Sequence, residues 1–233
     1  MTAIVLFMAG MALIAGWWLS HQRLSAKPWL EEGVIGDLRD EAPSPLPAKV
    51  GLGVFLAVAG SLFALVISAY SMRSDVPDWR TVPIPALLWF NTAVLIVSSA
   101  ALQLAQIAAR RGDRDSAVTG LLAGGVSAMT FLIGQVLAWQ QLRDAGYVLA
   151  GNPANSFFYL ITGLHGLHLL GGLVALGRMI ARAFSGLALP KLRLSIELCT
   201  MYWHFLLVVW LVLLGLLTGS ASDFLAMCRQ VLS

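Results

Sequence analysis

The fold is decided by residues 155–219, which read NSFFYLITGLHGLHLLGGLVALG at 155–177 and, after a short basic connection, IELCTMYWHFLLVVWLVLLGLL at 196–217. Each run is apolar and long enough to cross a bilayer. The two runs also carry three of the four histidines and Glu197, the one carboxylate that lies inside an apolar run. Ionisable groups at membrane depth are costly and usually have a role, so we expect the function of the chain to depend on these runs.

The rest of the chain repeats this apolar pattern. It is 58% hydrophobic and 12% charged, and runs of about 20 apolar residues recur without the alternation of a barrel strand. The net charge of +3 does not indicate nucleic-acid binding, because the basic residues lie in short loops between the runs. The pattern predicts an all-α, polytopic membrane helix bundle with six transmembrane helices. Their expected bounds are Ala3–Leu19, Val50–Met72, Ala86–Ala109, Ala117–Leu142, Asn155–Ala183 and Leu194–Thr218.

Two regions follow from these spans. Residues 1–48 are predicted to form an N-terminal transmembrane helix with a polar linker, and residues 49–233 a five-helix membrane domain with a short C-terminal tail. The first run resembles a secretory signal but has no positively charged start, so we expect a retained helix. Cys199 and Cys228 are expected near opposite ends of the last span, which disfavours a disulfide.

The basic residues orient the bundle. Eleven Lys and Arg residues follow the first, third and fifth spans, against four on the other side. Since cytoplasmic loops are enriched in Lys and Arg, the side with eleven is predicted to be cytoplasmic and both termini to lie outside. Within the fourth span, Gly120, Gly124 and Ala128 recur at four-residue spacing, which predicts close approach of a neighbouring helix.

Three histidines are predicted near the membrane midplane. His165, His168 and His204 each lie roughly ten residues into a span. They could hold a metal or haem, since helix bundles build such sites in their cores, or they could form a hydrogen-bonding network that fixes helix packing. Three histidines are too few for a haem–copper centre or for two haem-ligating pairs. The packing interpretation is therefore favoured.

Glu197 lies only about three residues into the membrane and leaves two interpretations open. It could snorkel to the cytoplasmic interface or pair with Arg193 or Arg178. It could also contact a lipid head group or take part in a proton relay.

Several of these segments resemble cytochrome c oxidase subunit III. The run YWHFLLVVW at 202–210 is similar to the family's YWHFVDVVW signature, with Glu197 where the family carries a glutamate. The HGLH of residues 165–168, followed by Gly171 and Gly172, resembles its HGxH helix. NTAVLIVSS at 91–99 is similar to an NTxxLLxSS pattern, and Gln135 matches a glutamine of the next helix. The resemblance covers about 49–219.

The chain also departs from the family pattern. The signature aspartate is Leu207 here, and two helix glutamates of the family fall at Ala59 and Ala138. Acidic residues proposed to aid proton uptake are thus mostly absent. The resemblance places this chain in a divergent branch, with one N-terminal helix added to a five-helix core.

The resemblance implies an accessory subunit III of a respiratory haem–copper terminal oxidase, without a catalytic, cofactor or metal site of its own. Haem and copper would lie in partner subunits, and the partners would be oxidase subunits I and II and phospholipids. The complex would pass electrons from cytochrome c or quinol to oxygen with proton translocation across the bacterial inner membrane. Alternatives are a subunit III-like partner of a nitric oxide reductase, a b-type cytochrome membrane subunit, or an assembly protein. The expected lipid-binding or structural polar residues are Glu197, His165, His168, His204, Trp203 and Arg178, and the expected packing residues are Asn91, Gln135, Gly171 and Gly172.

Overall fold

The computed structural model describes residues 45–74, 76–185 and 189–219. In these ranges all regular secondary structure is helical, and five helices are long and apolar enough to cross a membrane. They are α1 (Pro45–Ser74), α2 (Leu87–Arg111), α3 (Arg114–Asp144), α4 (Pro153–Phe184) and α5 (Leu189–Leu217). The five core spans predicted from the sequence are confirmed. The predicted N-terminal span Ala3–Leu19, its linker and Cys228 lie outside the described residues.

Local sequence explains where the helices begin and end. Gly112 takes a left-handed conformation (φ 84°) after α2, and its N–H reaches the carbonyls of the last turn. Asp113 then caps α3 by accepting a hydrogen bond from the Ser116 N–H. Asn152 caps α4 in the same way, with Pro153 in the first turn. Residues 80–85, which have no regular secondary structure and include prolines at 83 and 85, separate α1 from α2.

The closest helix pairing joins α2 and α3. A Cβ placed on Gly120 would stand 2.8 Å from the Ala105 Cβ and 2.9 Å from the Ala101 carbonyl oxygen. One placed on Gly124 would stand 2.8 Å from Leu102 Cγ. Only glycine permits this approach, so the close packing predicted from four-residue spacing is confirmed.

The remaining helices surround this pair. α5 packs on α2 and α4, and α3 also packs on α4. The centre between them is filled by fully buried large side chains, including Phe131, Phe158, Trp203 and Trp210. α1 packs mainly against α4 and α5, and Val58 and Leu65 on it remain 65% and 69% exposed. α1 is therefore a peripheral wall rather than part of the core.

Candidate functional site

His204 ties α5 to α2 near the middle of both helices. Its Nδ1 lies 2.5 Å from the Ser99 hydroxyl and its Nε2 lies 2.9 Å from Gln103 Oε1. In this arrangement Ser99 donates to Nδ1, and Nε2–H donates to the Gln103 carbonyl oxygen. Both ring nitrogens of His204 are therefore used in helix packing.

The other two histidines have different surroundings. His165 is fully buried, with its ring centre 5.0 Å from that of Trp210 and 5.8 Å from that of Phe131. His168 is partly exposed, and its Nδ1 lies 2.8 Å from the Leu164 carbonyl oxygen one turn earlier. No group of three or more His, Cys, Asp or Glu residues could hold a metal ion within the ranges the structure describes. The structure does not bring the three histidines together as one ligand set.

Trp203 belongs to a buried hydrogen-bond chain that crosses three helices. Its indole N–H donates to the Ser98 hydroxyl at 2.9 Å, and Ser98 donates to the Gly124 carbonyl oxygen at 2.8 Å. Two helical turns further along α5, the Trp210 N–H donates to the Thr92 hydroxyl at 2.9 Å. Buried indole N–H groups need such partners, so these bonds fix how α5 sits on α2.

The four residues expected to serve packing lie in three settings. Asn91 and Gln135 are buried, and a Cβ on Gly134 would stand only 2.1 Å from the Asn91 side-chain oxygen. A Cβ on Gly172 would stand 2.6 Å from Tyr202 Cε1, so this glycine lets α4 approach α5. Gly171 is exposed and has no described atom within 4 Å of a Cβ position. It lines a cleft instead of packing against a helix.

Glu197 forms an ion cluster between the ends of three helices. Its Oε1 accepts a hydrogen bond from Lys49 Nζ of α1 at 2.7 Å and lies 3.9 Å from Arg110 Nη2 of α2. The sequence left open a pairing of Glu197 with Arg193 or Arg178, and the structure places Lys49 and Arg110 beside it in their stead. Arg193 turns towards α2 and donates to the Ala109 carbonyl oxygen at 2.9 Å, and Arg178 faces the cleft. Lys49 lies closer to Glu197 because α1 runs alongside α5.

The cleft lies between α1, α4 and α5 and has a volume of about 530 Å³. Apolar side chains form most of its walls, among them Leu52 and Phe55 of α1 and Tyr202 of α5. Arg178 and Arg182 of α4 line it near the helix end that is predicted to be cytoplasmic, and both are exposed. Neither forms an ion pair within the described part of the chain. Sequence reasoning singled out Arg178 but missed Arg182, although the four-residue spacing places both on one helix face.

A model of the family described as "Cytochrome c oxidase subunit III" matches residues 52–217. The chain belongs to the cytochrome c oxidase subunit III family. The match includes all of α2, α3, α4 and α5 and all of α1 except its first seven residues.

Similar proteins carry names that agree with this family. A "Probable cytochrome c oxidase subunit 3" of Mycobacterium leprae (strain TN) is 35% identical over 177 residues, which are 72% of this chain and 86% of that protein. One of Mycobacterium tuberculosis (strain H37Rv) is 30% identical over 167 residues, 70% of this chain and 81% of that protein. A "Cytochrome c oxidase subunit 3" of Synechocystis sp. is 30% identical over 169 residues, 70% of this chain and 71% of that protein.

The range matched by the subunit III family model contains most of the polar residues described above. Glu197, the histidines His165, His168 and His204 and both cleft arginines fall inside the matched range, whereas Lys49 lies three residues before its start. Five membrane-spanning helices together with this family make the chain a multi-pass membrane protein.

Proposed function

We propose that this chain is the accessory, non-redox subunit III of a respiratory haem–copper terminal oxidase in a bacterial cytoplasmic membrane. It stabilises the catalytic subunit and holds phospholipid in the cleft between α1, α4 and α5. Haem and copper belong to partner subunits I and II, which pass electrons from cytochrome c or quinol to oxygen. Membership of the subunit III family supports the assignment to the complex, and the arginine-lined cleft is the observation that carries the lipid role.

The polar groups of the core support a structural rather than a redox role for this chain. Both ring nitrogens of His204 form hydrogen bonds to side chains of α2. The indole N–H groups of Trp203 and Trp210 donate to hydroxyl groups of α2. These bonds lie at successive levels along α5 and fix its position against the rest of the bundle. A fixed helical scaffold of this kind presents stable outer surfaces to a partner and to lipid.

The cleft matches a phospholipid in the distribution of its groups, with charged side chains at one end and apolar walls along the rest. Arg178 and Arg182 lie six and two residues before the end of α4 at Phe184, or roughly 9 and 3 Å along the axis. That depth is where a phosphate group of the cytoplasmic leaflet stands, and guanidinium groups bind phosphate with paired hydrogen bonds. Below them, Leu52, Phe55 and the exposed backbone at Gly171 offer an apolar channel for acyl chains.

A lipid-retention measurement tests this role. The double variant Arg178→Gln/Arg182→Gln should lose phospholipid from the purified complex, because both phosphate ligands become neutral. Arg111→Gln is the matched control, since Arg111 is exposed at the same end of the bundle and does not line the cleft. Native mass spectrometry would count lipids per complex. Equal lipid counts in the double variant, the control and the unaltered complex would refute the lipid role.

A further inference from the structure

A polar cluster reaches the outer surface of the bundle near mid-membrane. Gln103 and His204 are both partly exposed and hydrogen-bonded to each other at 2.9 Å. Each lies within about 6 Å of the midpoint of its helix along the axis. Exposed apolar residues surround them on the same side. We call this surface the α2/α5 face and define it by Ile96, Ala100, Gln103, Met201, His204 and Val208.

The N–H groups of the Gln103 carboxamide have no hydrogen-bond acceptor among the described residues. Its oxygen accepts from His204, whose other nitrogen is taken by Ser99. Within the described part of the chain, the Gln103 N–H₂ group donates no hydrogen bond. Hydrocarbon offers no acceptor, and an unpaired N–H at this depth is strongly unfavourable. Polar side chains in membrane helices normally face protein for this reason.

We propose that the α2/α5 face is covered by a transmembrane helix of a partner subunit that presents a hydrogen-bond acceptor to Gln103. This inference rests on the proposed function, because it assumes assembly into an oxidase complex. It adds the face and the contact residue through which the assembly is made.

The sequence argues against an occupant from this chain itself. The predicted span at residues 3–19 reads AIVLFMAGMALIAGWWL, which contains no hydroxyl, carboxamide, carboxylate or imidazole. Its tryptophans have N–H groups that only donate, so its side chains offer Gln103 no oxygen or nitrogen acceptor. Lipid acyl chains likewise offer Gln103 no hydrogen-bond acceptor. A partner helix bearing Ser, Thr, Asn or a carboxyl group meets the requirement.

A small residue on the α2/α5 face leaves room for a neighbouring helix. Ala100 lies one turn from Gln103 and has only a methyl group, so a neighbouring backbone can come close there. At the cytoplasmic end of the same face, Glu197 is held by Lys49 and by Arg110. This cluster keeps α1, α2 and α5 together at one end while the polar pair meets the partner near the middle.

Site-specific photocrosslinking in the intact complex tests the proposal. A benzoylphenylalanine at Ala100 should crosslink this chain to another subunit. The matched control is the same group at Ile133, which is 56% exposed near the middle of α3 on a different side and should label lipid only. Adducts from Ala100 to lipid alone, to the N-terminal segment of the same chain, or to a second copy would each overturn the inference. So would an equal yield of partner adduct from Ile133.

A binding measurement separates this inference from the proposed function. Gln103→Leu should weaken retention of the partner subunit roughly three- to tenfold, as loss of one interhelical hydrogen bond in a membrane does. Ser99→Ala removes the inner hydrogen bond to His204 and should leave retention within twofold, so it controls for loss of internal packing. Equal loss in the two variants would overturn the inference. Failure of the unaltered chain to purify with oxidase subunits would overturn both proposals together, whereas purification without an Ala100 adduct would overturn only this one.

Discussion

Replacing Gly120 by alanine should force α2 and α3 apart. The added methyl group would stand 2.8 Å from the Ala105 Cβ and 2.9 Å from the Ala101 carbonyl oxygen. Carbon atoms pack best at about 3.5–4.0 Å, so one helix must move by about 1 Å. Backbone atoms are among the obstacles, and they cannot be relieved by a change of rotamer. Overpacking of this kind costs roughly 1–3 kcal/mol.

Gly125→Ala on the same helix isolates that steric cost. Its Cβ would meet only the ends of two flexible side chains, Leu176 Cδ2 at 3.4 Å and Ile180 Cδ1 at 4.0 Å. Both substitutions gain the same helix propensity, about 1 kcal/mol, which cancels when the two variants are compared. The free energy of unfolding of Gly120→Ala should therefore lie about 1–3 kcal/mol below that of Gly125→Ala.

Equilibrium unfolding measures this difference. The purified chain in dodecyl maltoside would be titrated with sodium dodecyl sulfate and followed by tryptophan fluorescence. A difference of 1–3 kcal/mol corresponds to roughly a 5- to 150-fold change in the unfolding equilibrium constant. Equal stability of Gly120→Ala and Gly125→Ala would refute the argument that the α2–α3 contact requires glycine at position 120.

Three further predictions concern the ends of the helices. Hydrogen bonds from Ser116, through its side chain first and its backbone second, hold the pKa of Asp113 below its ordinary value. A carboxyl group whose pKa is lower in the folded state than in the unfolded state stabilises the fold at any pH above its unfolded-state pKa. This stabilisation is lost as the pH falls through its folded-state pKa. The melting temperature of Asp113→Ala should therefore lie below that of the unaltered protein at pH 7, and the gap should narrow as the pH falls through the lowered pKa of Asp113; a gap independent of pH would contradict the ionised cap. Glu197→Gln should destabilise the chain by about 0.2–1 kcal/mol, with initial oxygen turnover of the complex nearly unchanged. Combining it with Lys49→Met should add little; a large fall in initial turnover at normal subunit content would argue for proton uptake through Glu197. A cysteine at position 112 should react with an impermeant maleimide only from the cytoplasmic side; labelling from outside would reverse the predicted topology.

Apolar run length and glycine spacing predicted the fold well. The spans Val50–Met72 and Ala86–Ala109 fall within two residues of α1 and α2 except where α1 begins, five residues earlier at Pro45. Run length is set by bilayer thickness, which is why it can be read from a single sequence. The spacing of Gly120 and Gly124 carried enough information to predict a close neighbour for α3.

Partner identity could not be predicted in the same way. Periodicity places Glu197 on a face of α5 but does not say which helix lies beside it, so Lys49 was not foreseen. His165 and His168 share a sequence motif, yet one is enclosed by aromatic rings and the other bonds its own helix. The order of helices around a bundle decides such contacts, and a single sequence does not encode that order in any local pattern.

The central claim is that this chain supports and protects a catalytic subunit without carrying the reaction centre. The most direct test compares oxidase complexes with and without this chain, measuring the initial rate of oxygen reduction and the number of turnovers to half-inactivation. We predict a normal or modestly reduced initial rate without the chain, followed by inactivation after fewer turnovers, because the partner loses an apolar wall and ordered lipid. Equal turnover numbers to half-inactivation in both complexes, or complete loss of the initial rate without this chain, would contradict the account.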